Sequence, residues 1–396
     1  MPASPFIALD ASGFDGASRR DAALIYDHVA TRGPLPRVDL ARTLGLRSTT
    51  VSTVVGALLE AGLLAETAVP SAGRGRPAAR LRTVPERFGA TVIHVSSQTL
   101  SGALVDLDGQ SVAERAWAMP GDAGNGRIAS ALSEIARDLR DAMPAGMVHA
   151  GTAVSLSGLI DLPGRRWLMA SRWPRMRGLD VAAALGSEAG PLSIMRNLDA
   201  ELRARLAAGG QTEGTTLLLH WGWGIGLAFA VGGEPFAPAG SFGEIGHGRL
   251  NALEGRRCGC GNHGCLETGA ALWALYAALA ARWPGLDEDE TRLAARFAAL
   301  DLLAAPEIAE AARLVARALA NACRLFFPSR IAVSGPFTGN AALFGHLEAL
   351  LRAEGTMEGL VLPPLAHVTA SRDYEIRGAA APMLTRAVSE LLRTMR

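Results

Sequence analysis

The 396-residue sequence predicts an α/β protein in two parts, a small helical N-terminal module and a larger domain of alternating strands and helices. Three observations lead there. The chain is too long for one small core. Residues 19–61 carry three helical patterns separated by Gly-containing turns, and from Ala90 onward apolar strand runs alternate with helical patterns. A hydrophobic fraction of 49% and a charged fraction of 19% are those of an ordinary globular protein. Net charge is only +1, so any nucleic-acid contact must come from a local cluster, and every Lys/Arg-type cation is Arg. No stretch approaches the roughly 18–20 apolar residues of a membrane span. Residues 1–16 lack a basic stretch followed by an apolar run, so a cytoplasmic protein without a membrane partner is expected.

Residues 1–18 are rich in Ala, Ser and Gly and read as a disordered tail. Residues 19–86 form the first domain. Ala22, Ile25, Tyr26 and Val29 share one helix face over 19–31, and Gly33-Pro34 ends that helix. A second helix over 37–44 closes at Gly45, and a third, capped by Ser48 or Thr49, runs to Ala61. Leu40, Ala41, Leu44, Leu46, Val51, Val54, Val55 and Leu58 face one core, which is a helix-turn-helix pattern. Its outer face carries Arg47, Ser48, Thr49, Thr50, Ser52 and Thr53, short or forked donors suited to phosphates and base edges in a major groove. Strands at 63–66 and 79–82 make a wing. Between them Gly73-Arg74-Gly75-Arg76-Pro77 is slim and cationic, with Arg74 and Arg76 fit for an A·T-rich minor groove.

Residues 87–396 form the second domain. Strand runs at 90–95, 102–107 and 111–118 precede helical patterns at 127–142, 180–185, 199–208, 270–282, 307–326 and 341–352. Cys258, Cys260 and Cys265 lie in one short Gly-rich stretch, the spacing of a metal loop and not of a disulfide framework. Three thiolates and one imidazole, from His247 or His263, complete a structural tetrahedral zinc site. Cys323 reads as a buried small hydrophobe, the acidic run 287–290 as a solvated helix start, and His220, His346 and His367 as residues without evident partners.

The run Gly33-Pro34-Leu35-Pro36-Arg37-Val38-Asp39-Leu40-Ala41, then Leu44-Gly45-Leu46, Thr50-Val51-Ser52, Leu58-Leu59-Glu60-Ala61-Gly62-Leu63 and Gly75-Arg76-Pro77, closely resembles the DNA-binding half of ROK-family repressors (repressor, open reading frame, kinase). The resemblance continues over 90–396 and implies a two-lobed, actin-like domain of the sugar-kinase (RNase H-like) type, with a cleft between the lobes. Glu244-Ile245-Gly246-His247 matches the family's Glu-x-Gly-His motif, which selects His247 over His263 as the fourth zinc ligand. It also implies a sugar or sugar derivative bound near Asn197, Glu244, His247 and Glu267. Gly222-Trp223-Gly224-Ile225-Gly226 matches the second phosphate loop of the family's kinases, with Trp221 and Trp223 either filling nucleotide space or packing.

The catalytic parts are missing. Where the kinases carry Asp-x-Gly-Gly-Thr, this chain has His94-Val95-Ser96-Ser97-Gln98, losing a magnesium ligand and two phosphate-approach glycines. Asn197 is followed by Leu198 in place of the catalytic Asp, and Asp199 is displaced by about 100° around the helix. A late Gly-Gly becomes Ser334-Gly335-Pro336. No catalytic residue is therefore assigned. The expectation is a zinc-containing repressor, at least a homodimer and up to a homotetramer, that reads a pseudo-palindromic operator in double-stranded DNA and senses a sugar. The alternatives are a sugar kinase with a regulatory domain and a regulator whose input is a partner protein. Arg172 and Trp173 are bulky beside the expected sugar contacts and suggest an unusual or acidic ligand.

Overall fold

The computed structural model describes residues 6–7, 9–68, 79–238, 243–359 and 361–395. The N-terminal module contains helices α1 (Ala17–Arg32), α2 (Arg37–Leu44) and α3 (Ser48–Glu60), with strands β1 (Leu35–Pro36), β2 (Leu64–Ala68) and β3 (Ala79–Thr83) in the order β1-β3-β2. Gly45, at φ 66°, ends α2 and makes the tight turn that aims α3 across it. Leu40, Val51, Val54, Val55 and Leu58 are buried, while Ala41, Leu44 and Leu46 are half-buried at the edge of the same core. The expected side-chain cap on α3 does not form. Arg47 is the cap residue, Ser48 begins the helix, and no side chain accepts from its first amides. Arg74 and Arg76 lie outside the described residues.

The first residues depart from the expected disordered tail. Ile7 and Phe14 are only 2% and 4% exposed, and Asp10 caps a short turn at Ala11–Gly13. The run Phe6-Ile7-Ala8-Leu9 is too short to give a periodic signal, but burying Ile7 and Phe14 stabilises the fold by about 2 kcal/mol each.

The larger domain is two lobes of one topology. The first has β4 (Phe88–Ser96), β5 (Thr99–Val105), β6 (Ser111–Ala118), α4 (Asn125–Asp141), β7 (Val148–Leu156), β8 (Leu159–Asp161), β9 (Arg166–Met169), β10 (Arg177–Asp180), α5 (Val181–Leu185) and β11 (Leu192–Arg196), followed by the crossing helix α6 (Asn197–Ala208). The second has β12 (Thr215–Trp221), β13 (Ile225–Val231), β14 (Glu234–Pro235), α7 (Glu267–Ala270), α8 (Leu272–Arg282), α9 (Glu290–Ala298), α10 (Pro306–Phe326), β15 (Arg330–Ser334), α11 (Ala341–Gly355) and β16 (Leu365–His367), and then α12 (Arg372–Thr394). The sheets run β11-β7-β4-β5-β6 and β14-β13-β12-β15-β16. In each, the first strand begins an antiparallel meander on one side and pairs in parallel on the other. This is an internal duplication.

Helix α12 does not appear in the sequence reading, yet it organises the molecule. It leaves the second lobe, packs on β4, β7 and α6, and ends against α1. Its residues Ile376, Ala379, Ala380, Met383, Leu384, Val388 and Leu392 share one buried cluster with β4, β5 and the N-terminal module. Further ties are Arg19 Nε donating to the Met395 carbonyl at 3.4 Å, and the Arg377 and Arg393 guanidinium groups over the rings of Phe6 and Phe14. The core is thus continuous across residue 86. Gly378 is required where α12 meets α6, because a Cβ there would lie 1.7 Å from the Ala200 carbonyl oxygen.

At the other end of α12, Ser155 Oγ donates to buried Glu375 at 2.6 Å. Burial pushes the Glu375 carboxyl up to about 8; Glu201 adds to this, while the Ser155 hydrogen bond, His220 and Arg372 act against it. The unfolded chain ionises this group near 4.5, so wild-type stability should fall between pH 4.5 and 8 relative to Glu375→Gln. Chemical unfolding at pH 5 and pH 8 should show this difference changing by roughly 3 kcal/mol.

Candidate metal and ligand site

The cysteine stretch folds back on Glu244–His247, with isolated bridges between Arg249 and Cys265 and between Arg257 and His263. His247, Cys258, Cys260 and Cys265 offer ligand atoms all within 4.8 Å of one another, whereas His263 is exposed and outside the group. The Cys260–Cys265 sulfur separation is 3.7 Å, and Cys258 Sγ lies 3.6 Å from His247 Nδ1. Tetrahedral ligands about 2.3 Å (sulfur) and 2.0–2.1 Å (nitrogen) from one ion stand about 3.8 and 3.6 Å apart, so the residues fit a four-ligand metal. Burial and the neighbouring sulfurs push Cys265 up to about 12, and burial raises Cys258. A cation removes that cost of ionising adjacent thiols.

The metal loop borders a polar cluster at the lobe junction. Glu244 directly precedes a short turn, Ile245–His247, without capping it through its side chain, and its Oε1 lies 3.8 Å from Arg196 Nε. A Cβ on Gly246 would sit 2.3 Å from the Ile225 carbonyl and 2.9 Å from the Glu267 side chain, so only glycine lets this turn dock. Arg196 Nη2 donates to the Leu227 carbonyl at 2.8 Å, and Nη1 lies 3.7 Å from Asp199 Oδ1. Burial pushes Glu244 up to about 7; Arg196 opposes the rise, while Glu267 and Asp199 add to it. Arg196 Nη1 and Asp199 Oδ1 are buried without hydrogen-bond partners. Buried polar atoms left open in this way are what a hydroxyl-rich ligand could satisfy.

The sequence-selected residues fare differently. Asn197 opens α6, half-buried, directly after Arg196. Glu267 is buried with both oxygens engaged, Oε1 by the Ile225 amide at 2.9 Å and Oε2 by Trp273 Nε1 at 3.2 Å. It ties the glycine-rich turn to α7, and each oxygen keeps one further acceptor position. Arg196 and Asp199 complete the cluster and were not singled out as ligand-binding; a buried charge on each side of Asn197 was their available signal. Trp173 is fully buried in the first lobe, and Arg172 crosses to the second lobe instead of facing a ligand. Trp221 is core, donating to the Ala270 carbonyl. Cys323 is buried, as expected, and burial pushes its thiol up to about 11. His220, read as unpartnered, bonds Glu290 at 3.0 Å and Ser334 at 3.2 Å.

On the N-terminal module, Arg47, Ser48, Thr49, Ser52 and Thr53 are exposed and Thr50 is half-exposed at one end of α3. Thr53 Oγ1 donates to the Thr49 carbonyl at 3.1 Å, leaving its oxygen to accept. Uncapped first-turn amides of a 13-residue helix beside Arg47 suit a phosphate.

A helix-turn-helix with a strand ribbon, sharing its core with a duplicated two-lobed domain, defines a regulator-type architecture on a sugar-kinase scaffold. Residues 91–378 match the defining pattern of the ROK family, and the chain belongs to that family. It is 29% identical over 367 residues to the transcriptional regulator Mb0495 of Mycobacterium bovis, covering 87% of this chain and 80% of that protein. It is 26% identical over 345 residues to the DNA-binding transcriptional dual regulator NagC of Escherichia coli, covering 82% of each. Among solved structures, a ROK family transcriptional regulator described as a homologue of the E. coli Mlc protein superposes with TM-score 0.72 at 22% identity, over 95% of this chain and 98% of that one. The ROK hexokinase from Thermus thermophilus superposes with TM-score 0.58 at 24% identity, over 76% and 99%. No helix among the described residues is long and apolar enough to cross a membrane.

Elemental analysis should find one divalent ion per chain. Cys258→Ser and Cys265→Ser should each lower metal content roughly tenfold or more, while His263→Ala should leave it unchanged.

Proposed function

We propose that this protein is a cytoplasmic transcriptional repressor whose hold on operator DNA is set by a sugar or sugar derivative bound at the lobe junction. The observation that carries this reading is α12, which packs on α6, the helix that starts at the ligand cluster, and reaches the DNA-binding module. One end bonds Ser155 through Glu375, and the other is packed into the core that contains α1 and α3. At 23 residues it spans about 34 Å. A ligand that favours one lobe arrangement therefore repositions α3, and needs only different affinities for the two arrangements.

In this reading Arg47, Ser48, Thr49, Thr50, Ser52 and Thr53 face the major groove, with Arg74 and Arg76 in the adjoining minor groove. Asn197, Glu244, His247 and Glu267 hold the sugar, joined by Arg196 and Asp199. Three thiolates with one imidazole select zinc, and four protein ligands leave it no open position, so its role is structural. Its ligands His247 and Cys265 thereby fix the loop that carries Glu244 and Glu267. Phosphoryl transfer is lost: Asp199 sits against Arg196, and the β4–β5 turn has no carboxylate of its own where a kinase's first turn supplies a magnesium ligand. A homodimer or homotetramer presents paired modules to a two-fold operator.

Capture of genomic fragments by the purified protein, followed by sequencing, tests the DNA reading; one enriched palindromic site is expected, and none with metal-loaded protein would overturn it. On that site Arg47→Ala should weaken binding about tenfold and flatten its salt dependence. Among sugars of the neighbouring genes, one should change operator affinity by about 5- to 150-fold. A change below twofold for every sugar would end the proposal of sugar control.

A further inference from the structure

The acidic run 287–290 starts a helix as expected, Asp289 capping α9 through the Thr291 and Arg292 amides, but it does more than face solvent. Each of its carboxylates has a partner, and two of the four reach the opposite lobe. Asp289 accepts from Ser97 Oγ at 3.1 Å, in the turn of the β4–β5 hairpin. Arg172, also of the first lobe, donates to the Glu288 carbonyl at 2.9 Å and lies 3.7 Å from its carboxylate. The same guanidinium stacks 3.6 Å over Trp223, in the glycine-rich turn of the second lobe. Glu290 accepts the Trp223 backbone amide at 2.5 Å and pairs with His220 at 3.0 Å. Asp287 is held by Arg292 at 2.6 Å. Consecutive residues 289 and 290 thus touch both glycine-rich and hairpin turns, which face each other across the mouth of the cleft.

We propose that residues 287–290 are an intramolecular latch that holds the two lobes together at the mouth of the cleft and occupies, with its own carboxylates, the anion space between the two turns. The donors there are a hydroxyl, a backbone amide, an imidazole and a guanidinium, all suited to an anion. The hydroxyl, amide and imidazole are satisfied from within the chain, and the guanidinium in part: its Nη2 is held by the Glu288 carbonyl, while Nη1, 3.7 Å from the Glu288 carboxylate, makes no hydrogen bond. Two consequences follow. The lobes open only by giving up the Ser97 and Arg172 contacts together, a hinge motion with a defined threshold. A nucleotide phosphate arriving at the turns meets carboxylates already in place, and like charges repel.

The test needs neither operator nor sugar, so it stands apart from the repressor reading. Hydrogen exchange of the full-length, metal-loaded protein is followed for segments 96–100, 221–226 and 286–292, with α10 as an internal control. In Ser97→Ala/Arg172→Met, exchange in all three segments should accelerate about tenfold or more while α10 is unchanged; acceleration below about twofold overturns the latch. Should that variant also loosen α10, Ser97→Ala alone, which removes one hydroxyl, decides by the same segments. Exchange at 286–292 rising about threefold or more supports the latch, and unchanged exchange overturns it. Calorimetric titration of the wild type with ATP to about 1 mM, the upper end of ordinary substrate affinities, should give no binding heat. Binding of ATP overturns the occupancy of the anion space.

Discussion

The backbone contact between Gly378 and the Ala200 carbonyl is the constraint on which the rest depends. With no side chain between them, α12 and α6 meet closely enough that the two crossing helices move as a pair. Arg203 Nη1 reinforces the meeting by donating to the Gly378 carbonyl at 3.2 Å. Helix α6 begins beside Arg196 and Asn197 at the ligand cluster, and α12 ends in the core of the DNA-binding module. A displacement at one end cannot be absorbed between the helices, because their interface has no slack. It can be passed on to α1, which α12 contacts directly.

That rigidity gives a role to Ile7 and Phe14, packed against the lobe ahead of α1. A DNA-binding module joined by a flexible tether would lose coupling to the cleft, since a tether transmits no orientation. Here Ile7, Phe14, Val29, Leu81 and Leu392 belong to one cluster, and module and lobe share a single apolar core. Separating them would expose that surface, so the module is expected to follow the lobe as a body and not to swing independently.

What the sequence made legible was local. Gly45 ends α2 at the expected residue, the strands of the ribbon fall within two residues of their expected limits, and the spacing of Cys258, Cys260 and Cys265 selects a metal loop. What it hid was either disguised or distant. Helix α12 contains Gly378 and Pro382, which read as breakers, although Ile376, Ala379, Ala380, Met383 and Leu384 carry a helical repeat. The partners of the acidic run are remote: Ser97 is 192 residues from Asp289 and Arg172 is 116 from Glu288. No window along the chain reveals such pairings, so the run looked like solvated charge. The family resemblance names Glu267 as a sugar contact, but its bonds to Ile225 and Trp273 arise only when the glycine-rich turn docks on α7.

The two halves of the cleft have been treated oppositely by the same substitutions. On the metal-loop side, Glu244, Arg196 and Asp199 gather at the lobe junction, with Arg196 Nη1 and Asp199 Oδ1 left without hydrogen bonds, a costly arrangement unless something polar completes it. On the side of the two turns, the amide, imidazole and hydroxyl donors are met from within the chain, Trp223 and His220 by Glu290 and Ser97 by Asp289, while Arg172 Nη1 makes no hydrogen bond. Burial works against charge on both members of the His220–Glu290 pair, yet their mutual attraction and hydrogen bond outweigh it. His220 is held above its ordinary value and Glu290 below. A satisfied ion pair gains nothing from a further anion, whereas an unsatisfied cluster gains from every hydroxyl it binds. On the proposed reading, open positions on one side suit a hydroxylated ligand, and carboxylates already in place on the other oppose a phosphorylated one.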